Sequence, residues 1–341
     1  MKIIKHIFTD PLFCCSLIAA IATLVFGRPN FKEINGSTIG SLFSLMLTVQ
    51  TLQFLGVFKF IAMKLTKLVK NSRQLIQLLI ALAFFSSMLL TNDVAIITLI
   101  PLLSLSIKNL KVAPELPIIL ICLAANLGSI LLPIGNPQNL FLFFNYQLNL
   151  NQFINLSFPL WFISLIICES LSVLINPVRI VPQKEPLPVF NQWQLILSSF
   201  SAIIVLLSGL KLIPLLSGII IAVFTSLIIS PEIFKNIDYA LLLTFLCFFI
   251  AVNNLSQAKF IKYSLKNIDN YQLGVYLSRL GLSQFLSNVP TVILWSPFTN
   301  QVPALFYGTN IAGLGTLIAS LANLLAFKQY QIHFQPPNIN I

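Results

Sequence analysis

Long apolar runs separated by short polar punctuation fill the chain. Apolar stretches fall near 11–27, 38–58, 74–90, 94–107, 116–146 and 153–175, and again near 193–209, 212–229, 239–258, 272–288, 290–298 and 302–327. A helix of about 20 apolar residues crosses a hydrocarbon core about 30 Å thick, so the pattern predicts an all-α polytopic membrane protein. Between the two series lies "NPVRIVPQKEPLPVFNQ", a polar, Pro-rich piece at 176–192 that reads as a linker. The expected organisation is a first membrane repeat over 1–175, a cytoplasmic linker over 176–192, a second repeat over 193–328 and a polar tail over 329–341.

Some runs are too short to cross and carry polar tips. The segments 74–90 and 94–107 meet at "TND", and 272–288 and 290–298 meet at "SNVP", which predicts one re-entrant helical hairpin in each half. Each hairpin precedes a Gly-interrupted helix, "ANLGSILLPIGNPQN" at 125–139 and "TNIAGLGTLIASLAN" at 309–323. In both, two Asn stand 13 residues apart, Asn126 with Asn139 and Asn310 with Asn323. Hairpin, Asn-bearing tip and broken helix therefore recur once per half, as in transporters built from repeats. With a cytoplasmic N-terminus, 13 of the 20 Lys and Arg fall inside, which is the bias that orients membrane proteins. An odd number of crossings then separates the hairpins, so the repeats are expected to have inverted topology.

Composition agrees with a bilayer setting. Hydrophobic residues make up 57% of the 341 and charged residues 9%, against roughly 25% charged in a soluble domain. The net charge of +11 is scattered over loop ends without a basic, aromatic-interleaved face, which excludes nucleic acid and leaves anionic lipid as the partner of those loops. The five cysteines all lie in apolar segments without a CxxC pair and read as small hydrophobes. The N-terminal "MKIIKHIFTDPLFCCSLIAAIATLVFG" is expected to be an uncleaved first membrane helix.

Broken helices survive in hydrocarbon only where they are packed in protein or line a wet cavity. Their free amides, carbonyls and helix ends suit hard cations and anions alike. Thr91, Asn92 and Asp93 with Ser86 and Ser87 supply oxygens in the first half, and Ser283, Ser287, Asn288 and Thr291 supply them in the second. Asp93 stands apart, because an acid at mid-membrane costs about 2.5 to 3.5 kcal/mol and marks an ion or proton path. It can instead cap the helix over 94–107. Glu169 is a second acid in an apolar segment, and Arg279 lies within the second hairpin, placed to attract an anion or to snorkel outward. The two His, His6 and His333, sit at the chain ends, so no His-based metal or acid–base site is expected and no enzyme is implied.

Taken together, "TNDVAIITLIPLL", "AANLGSILLPIGNPQNL", "SNVPTVIL" and "TNIAGLGTLIASLANLLAFK" resemble the ion transporter superfamily. Its branches include divalent-anion/sodium symporters, citrate permeases, arsenite permeases and sodium/proton antiporters. The resemblance implies an elevator-type secondary transporter, a homodimer in the cell membrane, whose hairpin tips and helix breaks hold substrate and coupling ion. Matched to this sequence, the candidate substrate and ion positions are Ser87, Thr91, Asn92, Asp93, Asn126, Gly128, Ser129 and Asn136, then Ser287, Asn288, Thr291, Thr309, Asn310 and Gly313. Candidate Na+ positions lie near Ser87, Asn92, Asp93 and Gly128, and near Ser287, Asn288 and Asn310. No cofactor is implied beyond Na+ or H+ as coupling ion.

Two departures from the superfamily pattern narrow the reading. Carboxylate carriers show Ser-Asn-Thr at the tips, whereas this chain has "TND" and "SNV". Asp93 would repel a di- or tricarboxylate, which leaves an inorganic oxyanion, arsenite efflux or sodium/proton exchange beside a citrate- or dicarboxylate-type anion. The second half also has no segment after Lys328 to match 153–175.

Overall fold

The computed structural model describes residues 7–30, 34–66, 68–107, 112–179, 190–258 and 272–335. Lys2, Lys5, His6, Lys32, Lys67, Lys108, Lys111, Lys184 and the cluster Lys259, Lys262 and Lys266 lie outside these residues, as do most of the linker and the last part of the tail.

Fifteen α-helices carry the description. In the first half these are α1 (Pro11–Ala22), α2 (Gly36–Phe54), α3 (Val57–Thr66), α4 (Ser72–Leu90), α5 (Asn92–Ile107), α6 (Glu115–Gly128), α7 (Pro137–Asn145) and α8 (Leu150–Leu171). In the second they are α9 (Gln192–Gly209), α10 (Leu215–Ile229), α11 (Tyr239–Gln257), α12 (Gln272–Leu286), α13 (Asn288–Trp295), α14 (Val302–Ala312) and α15 (Leu321–Phe334). Among the described residues four helices are long and apolar enough to cross a membrane, or five if the bent pair α2–α3 is one span. The chain is thus a multi-pass, all-α membrane protein.

Short polar residues start the helices where the apolar runs begin. Asp10, Asn35, Asn71, Asn136 and Asp238 each accept an amide of the first turn, and Asn149 with Gln152 forms a reciprocal capping box on α8. Inside the bundle the contacts are made by small and hydroxylated side chains. The buried positions of α10 are Gly218, Ala222, Thr225 and Ser226, and Ser226 shares a 3.0 Å hydrogen bond with Thr51 of α2. Small residues let helices approach closely where lipid supplies no hydrophobic drive between them. Large apolar residues such as Ile196, Phe200, Phe224 and Ile228 point outward instead, the arrangement lipid demands.

Three groups of described helices result, one of them α1 packed along α11 around Phe13, Ala20, Ala240, Cys247 and Ala251. α2, α9 and α10 pack together, while the hairpins, both broken helices and α8 form a larger body in which α15 lies against α5 and α6. Where α9 turns into α10, Lys211 reaches across to α7. Its ammonium donates to the carbonyls of Phe143 (2.8 Å) and Leu148 (3.2 Å) and lies 4.1 Å from the centre of the Phe143 ring.

The two ends of α8 are tied to different hairpins. Beyond its C-terminus, the Asn176 carbonyl accepts from the Ser72 hydroxyl at the foot of α4 (2.7 Å), and Ile175 accepts from Arg73 (2.8 Å). Before its N-terminus, Tyr146 donates to the carbonyls of Ser296 (3.1 Å) and Thr299 (2.9 Å), at the foot of α13.

Two boundaries differ from the sequence expectation. The run expected to end at 58 turns by 59° at Gly56 and continues as α3, a helix carrying Lys59 and Lys64. Gly56 has φ of 77°, a left-handed conformation that favours glycine, and the lysines hid the helix by breaking the apolar pattern. Likewise α15 runs to Phe334, past residue 328, because "QYQIHF" contains no breaker.

Candidate functional site

The two hairpins turn through the same backbone conformation. Thr91 joins α4 to α5 with φ 73° and ψ 149°, and Ser287 joins α12 to α13 with φ 68° and ψ 157°. This region is essentially reserved for glycine, and holding another residue there costs about 1 to 3 kcal/mol. An Asn follows each tip as the first residue of its helix, and Asn92 and Asn288 are both buried. One turn before each tip a serine, Ser87 or Ser283, is also fully buried.

Both tips open on one cavity. Its walls include Asn92 and Asp93 from the start of α5, Pro137 and Gln138 from α7, Asn288 and Val289 from α13, and Ser320 and Leu321 from α15. Helices α5, α7, α13 and α15 therefore present their N-terminal ends to one small space, as do α1 through Leu12 and α11 through Leu241, the last two capped by Asp10 and Asp238. Each such end carries roughly half a positive charge, which favours an anion. Asp93 is the acid in this lining. It lies inside the first turn of α5, so it is not the residue that caps that helix. The cavity measures about 40 Å³, against roughly 10–15 Å³ for one water, so in this conformation it admits an ion or a few waters and not a tricarboxylate.

The Asn pairs knit the two halves around this space. Asn92 donates to the side-chain oxygen of Asn126 at 3.0 Å, and Asn126 donates to Asn323 at 3.0 Å. Ser320 also donates to Asn126, at 3.0 Å. Across the site Asn310 donates to Asn139 at 2.9 Å. Asn136 caps α7 and donates to Ser129 at 2.9 Å, while the Gly313 carbonyl accepts from Asn323 at 2.9 Å.

The remaining expected positions serve the frame. Ser87 bonds to the Phe84 carbonyl of its own helix, and Thr291 donates to the Ser287 carbonyl. A methyl group on Gly128 would come within 2.1 Å of the Phe84 carbonyl oxygen, so the close contact of α6 with α4 requires a glycine there. Thr309 accepts from Arg279, which is fully buried; snorkelling is thereby overturned. Thr91, at the first tip itself, does not line the cavity, and Glu169 makes no ion pair among the described residues.

Gln138, Ser320 and Thr244 of the lining were not anticipated. The repeat could have pointed to Ser320, since it precedes α15 as Asn136 precedes α7. Thr244 lies on an unbroken helix and carries no local signal. Among the described residues no group of three His, Cys, Asp or Glu could hold a metal ion.

A cavity inside a multi-pass bundle, lined by helix ends and by Asn92, Asp93, Gln138 and Asn288, is the arrangement of a membrane transporter. Comparison with known proteins bears this out. Residues 11–305 match the family model described as "Citrate transporter" (CitMHS), and the chain belongs to that family, within the ion transporter superfamily; it is a transporter and not an enzyme. It is similar to the inner membrane protein YbiR of Escherichia coli (strain K12), 30% identical over 86% of this chain and 80% of YbiR. It is 33% identical to the uncharacterized transporter MJ0456 of Methanocaldococcus jannaschii, over 96% of this chain and 90% of the relative. A shorter likeness, 28% identity over 41% of this chain and 30% of the relative, is to the silicon efflux transporter LSI3 of Oryza sativa subsp. japonica.

Proposed function

We propose that this protein is a secondary active transporter of a small anion or oxyacid, coupled to Na+ or H+ at Asp93. The observation that carries the reading is the convergence of helix N-termini, those of α5, α7, α13 and α15 among them, on one cavity that also holds an acid. The helix N-termini favour negative charge in the cavity, and Asp93, with Asp238 near enough to act on it, opposes it. Binding of Na+ or H+ to Asp93 removes that opposing charge, so cation and anion favour each other's binding, which is the thermodynamic basis of symport.

The site residues proposed to contact cargo or ion are Asn92, Asp93, Ser287 and Asn288, with Asn126 and Asn310 behind them. The two hairpins are re-entrant and belong to inverted repeats. Support comes from α8, a helix long enough to cross the membrane, whose opposite ends touch the feet of opposite hairpins. The body holding both hairpins moves against α2, α9 and α10 as an elevator, in a homodimer of the cell membrane with a cytoplasmic N-terminus.

A second reading, an oxyacid efflux permease of the arsenite type or a sodium/proton antiporter, is favoured by the size of the cavity and by the likeness to a silicon efflux transporter. Reconstitution into proteoliposomes with citrate, succinate, sulfate and arsenite under imposed Na+ or pH gradients separates these readings. Gradient-driven uptake of one of them is expected. Flux of none of the four, with Na+/H+ exchange present, would replace the anion reading with the antiporter.

A further inference from the structure

Arg279 is among the largest fully buried side chains, at 0% exposure, and it sits inside the second hairpin. No carboxylate lies within ion-pair distance of it among the described residues. A buried charge left without a counter-ion is costly, so its retention needs a reason in what it holds.

What it holds is specific. One guanidinium nitrogen donates to the Thr291 carbonyl, in the first turn of α13, and another donates to the Thr309 hydroxyl at 2.5 Å, on α14 immediately before Asn310. A single planar fork thus joins the helix that follows the second tip to the helix that carries Asn310. The path is cleared by Gly308, where an added methyl would stand 2.9 Å from the Arg279 Cβ. Lysine, a point charge on a flexible stem, does not present two donors in that fixed plane.

The first half solves the same problem differently. There Asn92 bonds directly to Asn126, tip to broken helix, at 3.0 Å. In the second half the Asn288 backbone N–H (2.9 Å) and the Ser287 hydroxyl (3.4 Å) donate to the Ala319 carbonyl beyond the break, no bond joins Asn288 to Asn310 on α14, and Asn288 lines the cavity wall. We infer that Arg279 is a positioning residue for the second tip, fixing α13 to α14 so that the Asn288 side chain, whose oxygen accepts from the Ser287 hydroxyl at 3.4 Å, is held at the cavity wall where the cargo binds. The inference rests on the proposal that both tips line the transport site.

Hydrogen exchange on the full chain in detergent tests this without knowledge of the cargo. In Arg279→Met, amides of α13 and α14 should exchange about tenfold faster, the equivalent of one lost hydrogen bond to a charged group, while α4 and α5 stay unchanged. Arg279→Lys should recover only part of the protection. For whichever of citrate, succinate, sulfate and arsenite the unmodified protein accumulates, KM should rise with the maximal rate little changed. Should Arg279→Met fail to fold, Thr309→Val, which removes only the hydroxyl acceptor, must loosen the second tip in the same direction. Unchanged exchange at the second tip, or equal loosening at both tips, overturns the assignment. If the unmodified protein accumulates none of the four probes, the anion reading fails, and the exchange contrast between the tips still decides the role of Arg279.

Discussion

Asn126 donates its side-chain amide to Asn323 at 3.0 Å, and Asn310 donates to Asn139 at 2.9 Å. Each bond joins the first Asn of one half to the second Asn of the other. Both donors also bond the carbonyl one turn back on their own helix, Cys122 at 3.1 Å and Phe306 at 2.9 Å. The two broken helices are therefore cross-linked by matching amide pairs, in a setting where an unpaired amide has no water to turn to.

Because the pair acts as a unit, Asn126→Ala and Asn323→Ala should each reduce flux about tenfold, the scale of a buried hydrogen bond lost with its partner left unsatisfied. The double variant should be little worse than either single one. Uptake into proteoliposomes measures this, and fully additive losses would mean that the two residues act independently.

Asp93→Asn keeps shape and removes the charge. Uptake should no longer respond to the imposed Na+ or pH gradient, although the protein should remain monodisperse. An unaltered gradient response would leave Asp93 as no more than a favourable charge in the first turn of α5.

Gly128→Ala and Gly281→Ala form a matched pair. The new methyl at 128 would lie 2.1 Å from the Phe84 carbonyl oxygen, in backbone that cannot yield, whereas at 281 nothing lies within 4 Å. The first should cost at least the 1 to 3 kcal/mol of an overpacked core and lower the thermal midpoint together with flux. The second should be neutral or stabilising by about 1 kcal/mol through helix propensity. Equal behaviour in a thermal melt would contradict the close α4–α6 contact.

Lys211→Met retains the stem and deletes the ammonium that binds the Phe143 and Leu148 carbonyls. Loss of stability on the order of 1 to 3 kcal/mol is expected, toward the lower end because the side chain is only partly buried. A thermal midpoint equal to that of the unmodified protein would show that Lys211 does not hold α7 to the α9–α10 turn.

Much of this molecule could be read along the chain because the relevant signals are local. Apolar run length places the helices, Gly and Pro in "NLGSILLPIGNP" place a break, and the order of tip, break and Asn pair repeats within each half. Helix α3 escaped because Lys59 and Lys64 interrupt the apolar run, although a helix with one wet face tolerates both.

The sequence by itself determined which residues carry polarity into the bilayer: Asn92, Asp93, Asn126, Asn139, Asn288, Asn310 and Asn323. Only the tertiary structure decided how they are matched. Asn126 and Asn323 are 197 positions apart and Asn310 and Asn139 are 171 apart, so their pairing depends on how one half packs on the other. The same packing turned Arg279 inward, brought Gln138 and Ser320 to the cavity and gathered the N-termini of other helices around Asp93. Hydropathy and backbone breaks depend on neighbours in the chain; the charge at a site is a sum over neighbours in space.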